Sequence, residues 1–138
     1  MLTLDASIWV AAFDPRDRFH EVSAGFLGVT AQRRLRLHGP ACVLIETACA
    51  LARRARSAET GRAAVERLRR HPMLVLHPVN ERLLAAAQDL GLRQLLRGAD
   101  ALYAATAAVL NAPLVSWDDE HIDRAGAVTP EQWMAEHA

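Results

Sequence analysis

Four carboxylates stand alone in stretches that otherwise read as core: Asp5 in MLTLDASIWV, Glu46 in ACVLIETACALA, Asp100 in GADALYAATA and Asp118 in LVSWDDEHI. A buried lone carboxylate is strongly unfavourable unless a charge or a hydrogen-bond partner compensates it. No Lys or Arg lies from Met1 to Phe13, from Gly39 to Ala52, or from Gly98 to Asp123, so neutralising partners are missing locally. A divalent cation resolves the conflict. Hard ions such as Mg²⁺ and Mn²⁺ take oxygen ligands, and one ion can be shared by several acids brought together in the fold.

The spacing of apolar segments says how they could meet. Leu2 to Asp5 reads as a strand and Ala6 to Phe13 as a helix, broken at Asp14-Pro15. Asp17 caps a helix ending near Arg33, and Leu35 to His38 is a short strand or the run into Pro40. A third helix covers Ala41 to Arg56. Ser57 caps a fourth, which stops before Pro72. Met73 to Leu76 reads as a buried strand. Asn80 caps a helix from Glu81 to Leu90 that Gly91 ends. After a connection from Leu92 to Gly98 come an Ala-rich helix to Leu110, a strand from Leu114 to Ser116 and a short helix from Asp119 to Ala125. Thr129, Pro130 and Gln132 open the last helix with a capping box.

Short apolar strands separated by helices imply an α/β fold, a parallel sheet covered on both faces. In such sheets ligands bind beyond the carboxyl ends of the strands. Asp5 and Asp118 follow strands and point there. Asp100 falls in the first turn of its helix, and Glu46 inside or just before its own. Each acid also has an ordinary reading: Asp5 as a helix N-cap, Asp100 as an acid favoured by the helix dipole, Glu46 on a polar stripe with Thr47, and Asp118 as a loop acid whose part Asp119 or Glu120 could take.

Composition narrows the chemistry. The 138 residues fit one domain, residues 1–138, and 51% are hydrophobic. All 16 basic residues are Arg, which disfavours P-loop enzymes and other sites built around a Lys. Formal net charge is zero, yet Arg clusters at 33–36, 53–56 and 67–70, either as solvated helix ends or along a phosphate path. Cys42 and Cys49 share a helix about 10.5 Å apart, too far for a disulfide, and read as small core residues in a reducing compartment. No basic leader precedes Asp5, and Asn111 and Pro113 interrupt the uncharged run from Ala101. A cytoplasmic location away from membranes is the expectation. The six histidines show no paired ligand spacing and read as surface or turn residues. Trp117 suits packing against the last helix or a stacking platform at the mouth of a site.

The order and setting of LDASIWVAAF, VLIETACAL, GADALYAATA and PLVSWD resemble the PIN-domain ribonucleases over essentially the whole chain, and most closely the VapC-type toxins of type II toxin–antitoxin pairs. The resemblance implies a PIN-like three-layer sandwich with a parallel sheet of about four or five strands. It carries the site onto Asp5, Glu46, Asp100 and Asp118. Ser7 matches the small hydroxyl residue two after the first acid, and Ser116 stands where Thr is commoner. Asp118, two positions after that hydroxyl, is favoured over Asp119. The implied activity is Mg²⁺- or Mn²⁺-dependent endoribonuclease cleavage of single-stranded or looped RNA. Asp5, Asp100 and Asp118 would hold the metal, Glu46 would bind it or hold a water beside it, and Ser7 and Ser116 would orient carboxylates. The resemblance also implies a small antitoxin partner and a homodimer. The alternatives are a PIN-fold module that binds RNA or protein without cutting, and a DNA-directed nuclease of the same fold.

Overall fold

Every strand is short and pairs in parallel. The computed structural model describes residues 1–138. The elements run β1 (Leu2–Leu4), α1 (Ala6–Phe13), α2 (His20–Gln32), β2 (Leu37–Pro40), α3 (Val43–Ala55), α4 (Ala58–Arg69), β3 (Leu74–His77), α5 (Glu81–Gln94), α6 (Gly98–Leu110), β4 (Leu114–Val115), α7 (Asp119–Ala125) and α8 (Pro130–Glu136). The sheet order is β3-β2-β1-β4. Leu2 is paired with Leu37 and Leu4 with Val115, while Leu37 in turn meets Leu74. The chain therefore winds outward from β1 through β2 to β3, then returns to β4 on the other side of β1. Right-handed crossovers in both directions put helices on both faces of the sheet. The reversal also opens a crevice where β1 and β4 end.

The core explains the order of elements. Leu2, Leu4, Leu37, Leu114 and Val115 of the sheet are buried with Ile8 and Trp9 of α1, Phe26 of α2, Val43 of α3, Tyr103 of α6 and Trp133 of α8. Helix α1 starts the moment β1 ends, so the residue between them is fixed by two rigid elements. That residue is Asp5. It holds the N-cap position of α1, but its side chain caps nothing. No helix is long and apolar enough to cross a membrane.

Several boundaries differ from the sequence reading, each for a local reason. Asp17 caps a turn, accepting from the Phe19 N–H at 2.8 Å, and α2 begins only at His20. Strand β3, at one edge of the sheet, is half-buried, whereas β4 at the other edge is buried. Gly91 does not end α5. The helix runs on to Gln94, and Leu95 takes the left-handed conformation in its place. Gly91 is there for packing: a Cβ added to it would sit 2.8 Å from the Ala101 Cβ of α6. Cys42 is the N-cap of α3 and half-buried, whereas Cys49 is exposed; both are free. His38 is buried and within 2.9 Å of the His77 ring, not on the surface.

Two glycines give a test of this packing. Gly91→Ala should cost about 1–3 kcal/mol because the α5–α6 contact must open. Gly28→Ala, with no atom within 4 Å of the new Cβ, should stabilise by about 0.5–1 kcal/mol through helix propensity. Urea unfolding of both variants checks the opposite signs.

Candidate active site

At the carboxyl ends of β1 and β4 lies a cleft of about 460 Å³, and Asp5, Glu46, Asp100 and Asp118 all line it. They come from four different places: the β1–α1 junction, the first turn of α3, the first turn of α6 and the N-cap of α7. Ser7 lines the cleft as well.

Asp5 is the most constrained of them. It is 5% exposed. Its Oδ2 accepts from the Ser116 hydroxyl at 2.7 Å and from the Ser7 hydroxyl at 2.9 Å. Both serines are themselves fixed. Ser116 Oγ accepts from the Asp118 N–H at 2.9 Å, and Ser7 Oγ from the Trp117 N–H at 3.0 Å. These bonds cross from β1 and α1 to the segment after β4. They spend Oδ2 and leave Oδ1 to the cleft.

A residue read as surface completes this set. His121, on α7, is fully buried. Its Nδ1 lies 3.4 Å from Asp5 Oδ2 and 3.2 Å from Ser116 Oγ, and its Nε2 lies 3.1 Å from the Asp100 carbonyl oxygen and 3.7 Å from Asp100 Oδ1. Burial opposes charge on the ring, but Asp5 and Asp100 outweigh it and hold its pKa up to about 9. Burial also works against the charge on Asp5, and the His121, Ser116 and Ser7 contacts overcome it to keep the carboxyl below its ordinary value. The sequence did hold a signal, since His121 falls three positions after Asp118 on a short helix.

The second unforeseen residue is Arg97, directly before the stretch that lacks Lys and Arg. Its Nε lies 2.9 Å from Asp100 Oδ2 and 2.7 Å from Glu120 Oε2, and its terminal nitrogen 3.0 Å from Asp118 Oδ2. The i,i+3 spacing to Asp100 was visible in the sequence. The acids are thus not without local cations: Arg97 and His121 stand on opposite sides of Asp100. Asp118 is also engaged through Oδ1, which accepts from the Glu120 N–H at 2.8 Å. Asp119 is exposed and absent from the cleft lining.

Glu46 has no cation. Burial, then the charge of Asp5, raises its pKa. Burial likewise raises that of Asp100 despite His121 and Arg97. Tyr103 is buried beside this group with no hydrogen-bond partner for its hydroxyl, and burial and the Glu46 charge keep it protonated. Trp117 packs on Phe19, with ring centroids 4.0 Å apart. Of the three Arg clusters only Arg54 reaches the cleft, where Asp14 and Asp17 hold it at 2.9 and 2.8 Å.

The donor set fits a hard divalent cation. Asp100, Asp118 and His121 offer ligand atoms within 4.8 Å of one another, and Asp5 and Glu46 add carboxylates to the same cleft. While protonated, His121 has no lone pair to give. It faces an oxygen with each ring nitrogen and so orients Asp5 and Asp100, leaving an all-oxygen set.

Residues 2–128 match the model of the PIN domain. The chain belongs to the PIN-domain family. No curated protein sequence matches it. Among solved structures this PIN domain shares its fold with the Mycobacterium tuberculosis toxin VapC20, a sarcin-ricin loop cleaving toxin, at TM-score 0.79 and 21% identity over 93% of this chain and 97% of that one. A toxin–antitoxin complex from Klebsiella pneumoniae gives 0.70 and 16%, covering 94% and 98%. VapBC2 from Rickettsia felis, bound to a promoter DNA fragment, gives 0.69 and 15%, covering 93% and 96%.

Two outcomes follow from the site's electrostatics. In metal-free protein, His121 is more protonated folded than unfolded. Its contribution to stability is complete below its ordinary pKa of 6.5 and is lost as pH rises through about 9. The thermal midpoint in EDTA should fall between pH 7 and 9.5, and His121→Gln should flatten that fall. Arg97→Gln leaves Asp100, Asp118 and Glu120 facing one another. The metal-free variant should melt below wild type at low ionic strength, with the gap narrowing in added salt.

Proposed function

We propose that this PIN domain is a divalent-metal-dependent endoribonuclease, the toxin of a toxin–antitoxin pair. The convergence of Asp5, Glu46, Asp100 and Asp118 on one cleft carries the reading. Asp5 Oδ1, Asp100 and Asp118 are the proposed ligands of Mg²⁺ or Mn²⁺, with Glu46 beside them. Bound there, the metal supplies Lewis-acid activation and neutralises charge on the phosphoryl group.

The chain's own residues do the rest. Ser7 and Ser116 hold Asp5 in one rotamer, and His121 fixes Asp5 relative to Asp100. Glu46, with its raised pKa and no cation of its own, is the proton acceptor for the attacking water. Tyr103 stays neutral behind it.

RNA is the proposed substrate. VapC20, which shares the fold, is a sarcin-ricin loop cleaving toxin, and an open cleft at the carboxyl ends of β1 and β4 suits a splayed strand better than a duplex. The solved complexes of similar chains support an antitoxin as partner. Exposed Leu84 and Leu92 of α5, with Leu95 just after it, offer an apolar surface for a homodimer. The cytoplasm is the proposed location, where both RNA and antitoxin are made.

Asp100→Asn tests the assignment in two ways. It should abolish Mn²⁺-dependent cleavage of single-stranded RNA while keeping the circular dichroism of the wild type. It should also remove the thermal stabilisation by Mn²⁺, which for wild type at a hundred times Kd is about 2.7 kcal/mol. Equal cleavage by wild type and variant, or no shift of either by Mn²⁺, rejects the site.

A further inference from the structure

One part of the cleft has no role in the chemistry above. Beside the acids it is lined by Arg18, Phe19 and Trp117. The Phe19 and Trp117 rings are stacked, with an interplanar angle of 6°. The Arg18 guanidinium lies 4.5 Å from the centre of the Phe19 ring. Arg18 is exposed and makes no ion pair, unlike Arg54 in the same wall. The stack is therefore an aromatic pair capped by a cation with no acidic partner, in a cleft otherwise dominated by acids.

The stack is also rigidly placed. The Trp117 indole N–H donates to Ser23 Oγ at 2.8 Å, and the Phe19 N–H donates to Asp17 Oδ1 at 2.8 Å. Ser7 links it to the reacting centre, accepting from the Trp117 N–H at 3.0 Å and donating to Asp5 at 2.9 Å. One serine thus fixes the aromatic ledge relative to the carboxylate. A polyanionic strand entering an acidic cleft needs a contact that does not repel it. A flat aromatic face takes an unpaired base of any sequence, and a mobile guanidinium takes a phosphate.

We propose that Phe19, backed by Trp117, is the stacking ledge for an unpaired nucleobase flanking the scissile bond, and that Arg18 leaves the ring to pair with a neighbouring phosphate. This assignment rests on the ribonuclease reading and names how that site grips its strand. The structure's resting contact, guanidinium on ring, shields the aromatic face until a base replaces it.

The test measures binding of a fluorescein-labelled, mixed-sequence single-stranded RNA to Asp100→Asn protein by anisotropy, and cleavage of the same RNA by otherwise wild-type enzyme with Mn²⁺. Phe19→Ala should weaken binding by roughly 5- to 100-fold, and Phe19→Trp should restore it. Arg18→Ala should lower the slope of log affinity against log salt, which Phe19→Ala leaves unchanged. In a series of RNAs with single abasic positions, one position should weaken binding to the parent protein and be silent with Phe19→Ala. Melting temperatures of the variants separate these effects from loss of fold, and Phe19→Leu keeps the apolar contact should Phe19→Ala unfold. If wild type cleaves the RNA but Phe19→Ala and Phe19→Leu keep full affinity and the same abasic profile, the ledge is rejected and the ribonuclease reading stands. If those variants lose only inhibition by a co-expressed antitoxin, the surface belongs to a protein partner and the proposal is wrong. If wild type neither binds nor cleaves RNA, both readings fall.

Discussion

A buried carboxylate organises this molecule. Asp5 sits where a strand becomes a helix, with almost no access to water, and an ionised acid in that position is tolerable only if its charge is met. Two serine hydroxyls and a histidine meet it. Because Ser116 and His121 come from the segment after β4, those bonds fasten the end of β4 to the end of β1, across the point where the sheet reverses its winding. The cleft exists because of that reversal, and its shape is held by the hydrogen bonds that stabilise Asp5.

The other acids are balanced from the rim. Arg97 reaches three carboxylates at once, yet it is largely exposed, so solvent and salt weaken each contact. His121 is the buried counter-charge and Arg97 the replaceable one. A cation that took Asp100 and Asp118 as ligands would compete with Arg97 and leave His121 in place. Glu46, which neither of them reaches, is the acid left without a counter-charge.

Much of this was legible in the chain. The alternation of short apolar runs with helices gave the parallel sheet, and the isolation of each acid in an apolar setting picked out the four residues that line the cleft. The ordinary reading of Asp5 as a capping side chain fails for a reason invisible in one dimension: the hydroxyls that claim its oxygen include Ser116, far away in sequence. His121 and Arg97 were passed over because local rules treat a lone histidine as surface and because the window free of Lys and Arg began one residue after Arg97. Gly91 misled for a related reason. A glycine late in a helix reads as a stop signal, whereas this one answers to Ala101 on another helix. Single-residue chemistry was readable; pairings made by the return of the chain to β4 were not.

The most direct test of a shared metal is anomalous diffraction from crystals grown with Mn²⁺. A peak within coordination distance of oxygens from Asp5, Asp100 and Asp118, with Arg97 moved away, is the predicted result. A peak elsewhere on the surface, or an empty cleft at saturating Mn²⁺ with Arg97 still bridging the acids, contradicts it.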